Sequence, residues 1–267
     1  MGIQVYFRQN SDTKDEYEIC KRFFRTVDNR TSLSRDIETV ICRYSALPFN
    51  RELENDLHNM GISPINSSYE HSYIADMGWL DDLGSLTFRT WNRLEFVPNG
   101  IPLVLKGRTN SRKFEWNTKM FASDKKQALD IMHELWHDPL IGPQGVVFRE
   151  YVPLVTYEVG INGMPMTNEW RVFFYRNKLI DYGYYWSTLD DQSVVDLKRF
   201  ESDGLRLAKE AALRISDFTS FFAIDVAEGQ DGKWYAVEVN DGQMSGLSTI
   251  PEERFYLNLK KVLEEVL

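Results

Sequence analysis

The chain has 267 residues but only two cysteines, Cys20 and Cys42. Two thiols cannot make a disulfide framework, and they suit a reducing compartment. Long apolar runs are missing as well. No stretch comes near the roughly 18 consecutive apolar residues of a membrane span. The opening MGIQVYFRQN has no basic patch leading into an apolar run, so a secretory signal is not expected. The sequons at Asn29 and Asn66 then carry no meaning, because glycosylation requires secretion, and the expected location is cytoplasmic. Basic excess is absent too. The net charge is −9, which disfavours general binding to nucleic acid or to anionic membrane. Neither GxxxxGK[ST] nor GxGxxG occurs, so neither of these glycine-rich phosphate loops is available.

What is present is an ordinary globular composition, 43% apolar and 27% charged. It is enough for one large domain or two to three small ones around a shared cleft. Strand and helix patterns alternate, which points to an α+β or α/β fold. Strands are predicted at Ile3–Arg8, Glu38–Tyr44, Ile62–Ile65, Pro102–Gly107 and Val146–Val152. Helices are predicted at Asp15–Thr26, Asn50–Met60, Ser72–Leu83, from Ser123-Asp124 to His137, within Ser193–Ser216, and at Glu252–Val266. The last third reads as hairpins: Trp170–Tyr175 with Lys178–Trp186, then Phe221–Ala227 with Trp234–Asn240 around the turn 229–232. The pattern breaks around Thr90 to Gly100, where Pro98-Asn99-Gly100 gives a turn, and a soft boundary is expected there.

The final hairpin, FFAIDVAEGQDGKWYAVEVND, carries the chemistry. Residues two apart on a strand share a face, so Glu238 and Asn240 point the same way, and a tight hairpin can set Asp225 opposite them. Three hard oxygen ligands in apolar strands suit magnesium, which combines such ligands with water and nucleotide phosphates. The plain alternative is a solvated strand face. It fits Asp225 poorly, because Ile224 and Val226 flank it.

An Asp in one strand followed by Glu-x-Asn in the next resembles the magnesium site of ATP-grasp ligases, and the resemblance spans about residues 100 to 250. Lys106 looks like the family lysine that contacts ATP phosphates, and the basic segment Arg108–Lys119 like the loop that closes over them. That loop is not glycine-rich, so it would hold phosphate by charge, with Lys119 as the expected second phosphate lysine. Glu150-Tyr151-Val152 resembles the adenine-reading segment, Glu158 the ribose acid, and Arg171 the arginine near the transferred phosphoryl group. The first 90 or so residues, with RYSALPF and the following ELE helix, resemble the preceding domain of a phage-associated subgroup.

The resemblance implies an α+β ATP-grasp fold: an α/β N-terminal lobe (1–90), a central lobe (91–155) and a C-terminal lobe with the metal site (156–267), the last two clasping ATP. It further implies ATP and magnesium as cofactors. Small-molecule or peptide carboxylates and amines would be joined through an acylphosphate, with Lys106 and Arg171 as the catalytic cations. Phosphoryl transfer needs positioning and charge neutralisation more than a protein nucleophile.

Two other readings compete. His133-Glu134-Leu135-Trp136-His137 is an HExxH motif in a predicted helix, as in zinc hydrolases, with Glu158 downstream as a third ligand. Against it, Pro139 and the following Pro/Gly run end the helix at once, and histidines near a helix C-terminus are favoured by the dipole alone. A nucleotide-binding module without catalysis would keep the same cleft. His58 and His71 read as structural or surface residues. Arg43 could reach a substrate carboxylate, but reads better as a strand-end residue stretching to water.

Overall fold

The computed structural model describes residues 2–8 and 14–266. The N-terminal lobe contains β1 (Ile3–Phe7), α1 (Lys14–Cys20), β2 (Arg25–Val27), β3 (Thr39–Arg43), α2 (Asn50–His58), β4 (Ser63–Pro64), α3 (Ser68–Ala75) and α4 (Trp79–Leu83). Its sheet is parallel throughout, in the order β2-β1-β3-β4. All five residues of β3 are buried, as expected of a strand covered on both faces.

The central lobe contains β5 (Thr90–Trp91), β6 (Leu103–Gly107), β7 (Phe121–Ala122), α5 (Lys125–Trp136) and β8 (Val146–Glu150). Its sheet is antiparallel, in the order β5-β8-β6-β7. Helix α5 is capped by Asp124, whose side chain accepts from the backbone N–H of Gln127. It buries Ala128, Ile131, Met132 and Leu135 against this sheet.

The C-terminal lobe begins with the small hairpin β9 (Thr156–Val159) and β10 (Pro165–Thr167). It continues with β11 (Glu169–Tyr175), β12 (Lys178–Tyr184), α6 (Leu197–Arg199), α7 (Leu205–Ile215), β13 (Phe221–Glu228), β14 (Trp234–Asp241) and α8 (Glu252–Val266). The main sheet runs β12-β11-β13-β14, antiparallel. One face, with Phe222, Ile224 and Val226, packs on α4 and α7. The other, with Phe173, Phe221 and Ala223, packs on α8 and on Val5, Phe7 and Ile41 of the N-terminal sheet. The first and last lobes therefore share one core. No helix among the described residues is long and apolar enough to cross a membrane.

Three sequence expectations are corrected here. The helix expected over Asp15–Thr26 stops at Cys20, and Arg25–Val27 is an edge strand pairing with β1. Its β-branched Thr26 and Val27 suit a strand better than a helix. The helix expected over Ser72–Leu83 is two helices. Ser67 and Glu70 form a capping box that starts α3 earlier. A break follows at Met77, with φ 62°, and Gly78, where a Cβ would lie 2.8 Å from the Tyr73 ring. The helix within Ser193–Ser216 is α6 and α7 joined by a π-turn over Phe200–Gly204, with Gly204 pressed on the Trp234 ring.

Phe255 is fully buried between the strands of the C-terminal lobe and the N-terminal lobe. Phe255→Ala is expected to cost about 3–5 kcal/mol of unfolding free energy, read as a lowered urea midpoint. A loss below about 1 kcal/mol would mean the shared core does not hold the lobes.

Candidate active site

The site begins with a bulge in β14. Ala236 and Val239 both pack in the large core although they stand three residues apart. The register with β13 shifts between Asp225 and Val226, so that Asp225 faces Glu238 while Val226 faces Ala236, and Val237 is the extra residue. The bulge turns Glu238 and Asn240 to the face that carries Asp225 and Arg171. Asp225, Glu238 and Asn240 thus come together as expected, and the solvated-face alternative fails because Asp225 is only 1% exposed.

Burying these carboxylates requires cations. Arg171, directly across from Asp225 on β11, grips it with two bonds of 2.8 Å each from Nε and Nη2, and donates to the carbonyl of Gly246 at 2.9 Å. Asn240 Nδ2 lies 3.3 Å from Asp225 Oδ2. Lys106, on β6 of the central lobe, reaches across the cleft to Glu238 Oε1. Burial alone would raise the Glu238 carboxyl, but Lys106, Lys113 and Arg149 outweigh it and hold it down at about 2. Burial pushes the Lys106 amine below its ordinary value, and Glu238 opposes that shift.

Three further charged residues belong to the cleft: Lys113, which the sequence places in the basic loop but passes over in favour of Lys119, and Arg149 and Glu169, which escaped the sequence reading. Lys113 stands 4.2 Å from the centre of the Tyr185 ring and 5.2 Å from that of Trp186, and it bonds the Tyr185 hydroxyl. Arg149, 5% exposed, donates from Nη1 to the carbonyl of Val237 at 2.5 Å, while its buried Nη2 has no partner among the described residues. Glu169 is pushed up to about 7 by burial, against the pull of Lys113, with Asp225 adding to the rise. The available signals were a lone Arg inside the apolar run VVFREYV and the alternation Glu169-Trp170-Arg171.

The cleft has two halves sharing Lys106, Lys113 and Glu238. One half is mostly apolar, lined by Phe88, Trp116, Met120, Tyr151, Val152 and Met164. The other is polar, with Arg108, Arg171, Tyr185, Asn240 and Ser245. Glu150 borders the apolar half, but its carboxylate is held by Arg89 through two bonds of 2.7 Å.

Two predicted binding residues lie elsewhere. Lys119 pairs with Glu115 at 2.6 Å and lines an open hollow beside His133 and His137. Lys113, of the same loop, lines both halves of the cleft instead. Glu158 sits on β9, where it accepts the Asp190 N–H at 3.2 Å, and it is not part of the cleft wall. The HExxH helix presents both histidines to solvent, and His137 Nδ1 is 2.7 Å from the carbonyl oxygen of His133. The neighbouring Asp138 is bound by Arg112, and no group of three His, Cys, Asp or Glu placed to hold a metal occurs among the described residues. Arg43 is not a strand-end residue reaching for water. It is buried, pairing with Glu16 at 2.7 Å and donating to the carbonyls of Gly242 and Gln243 at 2.9 and 3.0 Å.

Asp225, Glu238 and Asn240 fit magnesium by donor chemistry, being hard oxygens beside a space for phosphates. Among the described residues, Glu238 Oε2 and Asn240 Oδ1 accept no hydrogen bond, whereas Arg171 occupies both Asp225 oxygens.

Solved structures share this arrangement of lobes. D-cycloserine synthetase DcsG superposes with a TM-score of 0.58 at 14% identity, covering 98% of this chain and 100% of that one. D-alanine–D-alanine ligase from Bacillus anthracis, complexed with ATP, gives 0.55 at 15% identity over 98% and 99% of the two chains. A RiPP-associated ATP-grasp ligase from Chryseobacterium gregarium, in complex with ADP and a leader and core peptide, gives 0.58 at 11% identity over 100% and 98%. These likenesses define the class by fold, ATP-grasp. The profile of an ATP-grasp domain, family 3 of its clade, matches residues 97–259, more than half of the sequence, and the chain belongs to that family. No curated protein sequence matches the chain.

The raised Glu169 carboxyl has a signed consequence. The folded protein keeps this proton up to about pH 7, whereas the unfolded chain releases it near 4.5. Its contribution to stability is therefore complete below 4.5 and is lost as pH rises through 7. Glu169→Gln should flatten the decline in unfolding free energy across that interval. An unaltered slope in denaturant titrations over this pH range would remove the assignment.

Proposed function

We propose that the chain is an ADP-forming, ATP-dependent ligase that joins a carboxylate to an amine through an acylphosphate. The observation that supports this reading best is the Lys106–Glu238 pair on the wall shared by the apolar and polar halves of the cleft. The apolar half suits adenine, stacked near Tyr151 and Val152, with Glu150 at its edge. The triphosphate then runs toward Lys106, Lys113 and the unpartnered Nη2 of Arg149. Glu158 and Lys119 have no part in this nucleotide pose.

Arriving phosphates compete with Glu238 for Lys106. Released from the lysine, Glu238 would hold magnesium together with Asn240 and Asp225. An ion held by these residues would supply neutralisation of phosphate charge. Lys106 and Arg171 stabilise the charge that develops as the phosphoryl group passes to the substrate carboxylate, and water is kept out by the loop 108–119. An amine then attacks the acyl carbon. Residues 1–90, 91–155 and 156–267 serve as the N-terminal domain and the two nucleotide-clasping lobes. The polar half, lined by Arg108, Arg171 and Ser245, suits the carboxylate of an amino acid or a peptide end. The likeness to ligases of D-alanine and of RiPP peptides supports substrates of that size.

Calorimetric titration with magnesium and a non-hydrolysable ATP analogue tests the nucleotide site, and ADP release with panels of acids and amines tests the reaction. Glu238→Ala should abolish turnover, and Asp225→Asn should weaken magnesium-dependent nucleotide binding. His133→Ala should retain both. Loss of activity in His133→Ala with retention in Glu238→Ala would overturn the assignment in favour of a hydrolase centred on α5.

A further inference from the structure

On the reading just given, the acid substrate must lie in the polar half of the cleft with its carboxylate turned to the terminal phosphate of the nucleotide. We infer that the Tyr185 hydroxyl donates a hydrogen bond to that carboxylate and holds it between Lys113 and Arg171 for phosphoryl transfer. That the anion is a carboxylate rests on the ligase reading. That the hydroxyl has a hydrogen to give rests on the geometry.

Tyr185 stands one residue past β12. Its backbone N–H donates to the carbonyl of Glu169 at 2.9 Å, so pairing with β11 fixes it close to Arg171. The Arg171 guanidinium carbon is 4.8 Å from the centre of the Tyr185 ring. The Lys113 amine, from the loop of the central lobe, is 4.2 Å from the same centre and bonds the hydroxyl. Trp186 meets the Tyr185 ring edge-on at 5.0 Å. Two cations from two lobes thus converge on one phenol. Tyr185 is half-buried, and it lines the polar half together with Lys113 and Arg171.

Counting hydrogens gives the hydroxyl its role. An ammonium has three donors and no acceptor, so Lys113 donates and the Tyr185 oxygen accepts. Burial alone would lower the Lys113 amine, but Tyr185, Glu169 and Glu238 outweigh it and hold it above its ordinary value. Burial raises the Tyr185 hydroxyl against the pull of Lys113, so it keeps its proton at neutral pH. That O–H meets no acceptor among the described residues, since its one bond is spent on accepting from Lys113. Lys106 and Arg171 already have carboxylates, in Glu238 and Asp225, whereas Lys113 has only the phenol. A free donor beside such a cation calls for an anion.

The side of approach selects which anion. Lys113 lines both halves of the cleft, but Tyr185 lines the polar half and Trp186 the apolar one. A phosphate that reaches Lys113 from the apolar half therefore leaves the hydroxyl free on the other side. A carboxylate arriving there takes one hydrogen bond from Tyr185 and lies in the field of Lys113 and Arg171. Lys113 then touches both reactants, and Tyr185 sets where the carboxylate stands.

Two measurements on the full chain test the inference. The first uses protein labelled with 13Cζ-tyrosine, with Tyr185 assigned by the signal missing from Tyr185→Phe. Acetate is the carboxylate probe and acetamide its neutral counterpart, each added to the complex with magnesium and a non-hydrolysable ATP analogue. Acetate should shift the Tyr185 signal saturably, and acetamide should leave it in place. No shift with acetate, or equal shifts with both, would overturn the proposal whatever the reaction is. In the second, acids are screened with magnesium, ATP and hydroxylamine for hydroxamate formation, and the best of them is given to Tyr185→Phe, which keeps the ring and its contacts with both cations. KM for the acid should rise about 10- to 100-fold more than the Kd of the nucleotide analogue does. An equal change in both would mean that the hydroxyl only holds Lys113, and would sink the role. Should the unaltered protein form no hydroxamate from any acid, the ligase reading is what fails, and the acetate titration alone decides Tyr185.

Discussion

A carboxylate excluded from water must lie against positive charge or give up its own. Asp225, Glu238 and Glu169 are gathered in one cleft, and the rest of the molecule is arranged around keeping them there. None is neutralised by its own strand. Asp225 is held by Arg171 from the neighbouring β11, and Glu238 by Lys106 from another lobe. Glu169 lies near Lys113, from a loop more than fifty residues earlier in the chain. The polar bonds that span the central and C-terminal lobes are thus also the charges that line the cleft. Arg149 on Val237, and Thr87 Oγ1 on the carbonyl of Ala236 at 2.7 Å, add further ties at the bulged strand.

The part of this arrangement legible in the sequence is the part set by local rules. Alternation in YAVEVN gives Glu238 and Asn240 a common face, and the short turn after FFAIDV brings Asp225 opposite. The end of PLVLK places Lys106 at a strand terminus. The antiparallel hairpins and the closing helix follow from the same patterns. What local rules omit is the extra residue at Val237, which selects the face those side chains take. Alternation says which residues go together, not whether they go toward core or cleft.

Arg149 was missed for a related reason. It is given its place by a partner distant in sequence, Val237, 88 residues away, just as Lys113 of the basic loop is given its place by Tyr185, 72 residues away. Helix α5 spends its apolar stripe on the central sheet, and that turns the HExxH histidines outward, in line with their reading as surface residues near a helix end. Lys119 was chosen by charge alone, and charge does not say which way a loop residue turns. Glu158 falls on a hairpin whose direction no periodicity predicts.

The buried guanidinium of Arg43 determines where the molecule can bend. It joins Glu16 of the first lobe to the backbone of the segment just after β14, and the Tyr256 hydroxyl of α8 donates to the same Glu16 carboxylate. Peeling that contact apart would strand a buried charge, which is among the costlier changes a protein can undergo. The two outer lobes therefore form a single anvil. Whatever the cleft takes in lies against this anvil, which the central lobe meets through Val147 in the large core and through the polar bonds of Lys106 and Arg149.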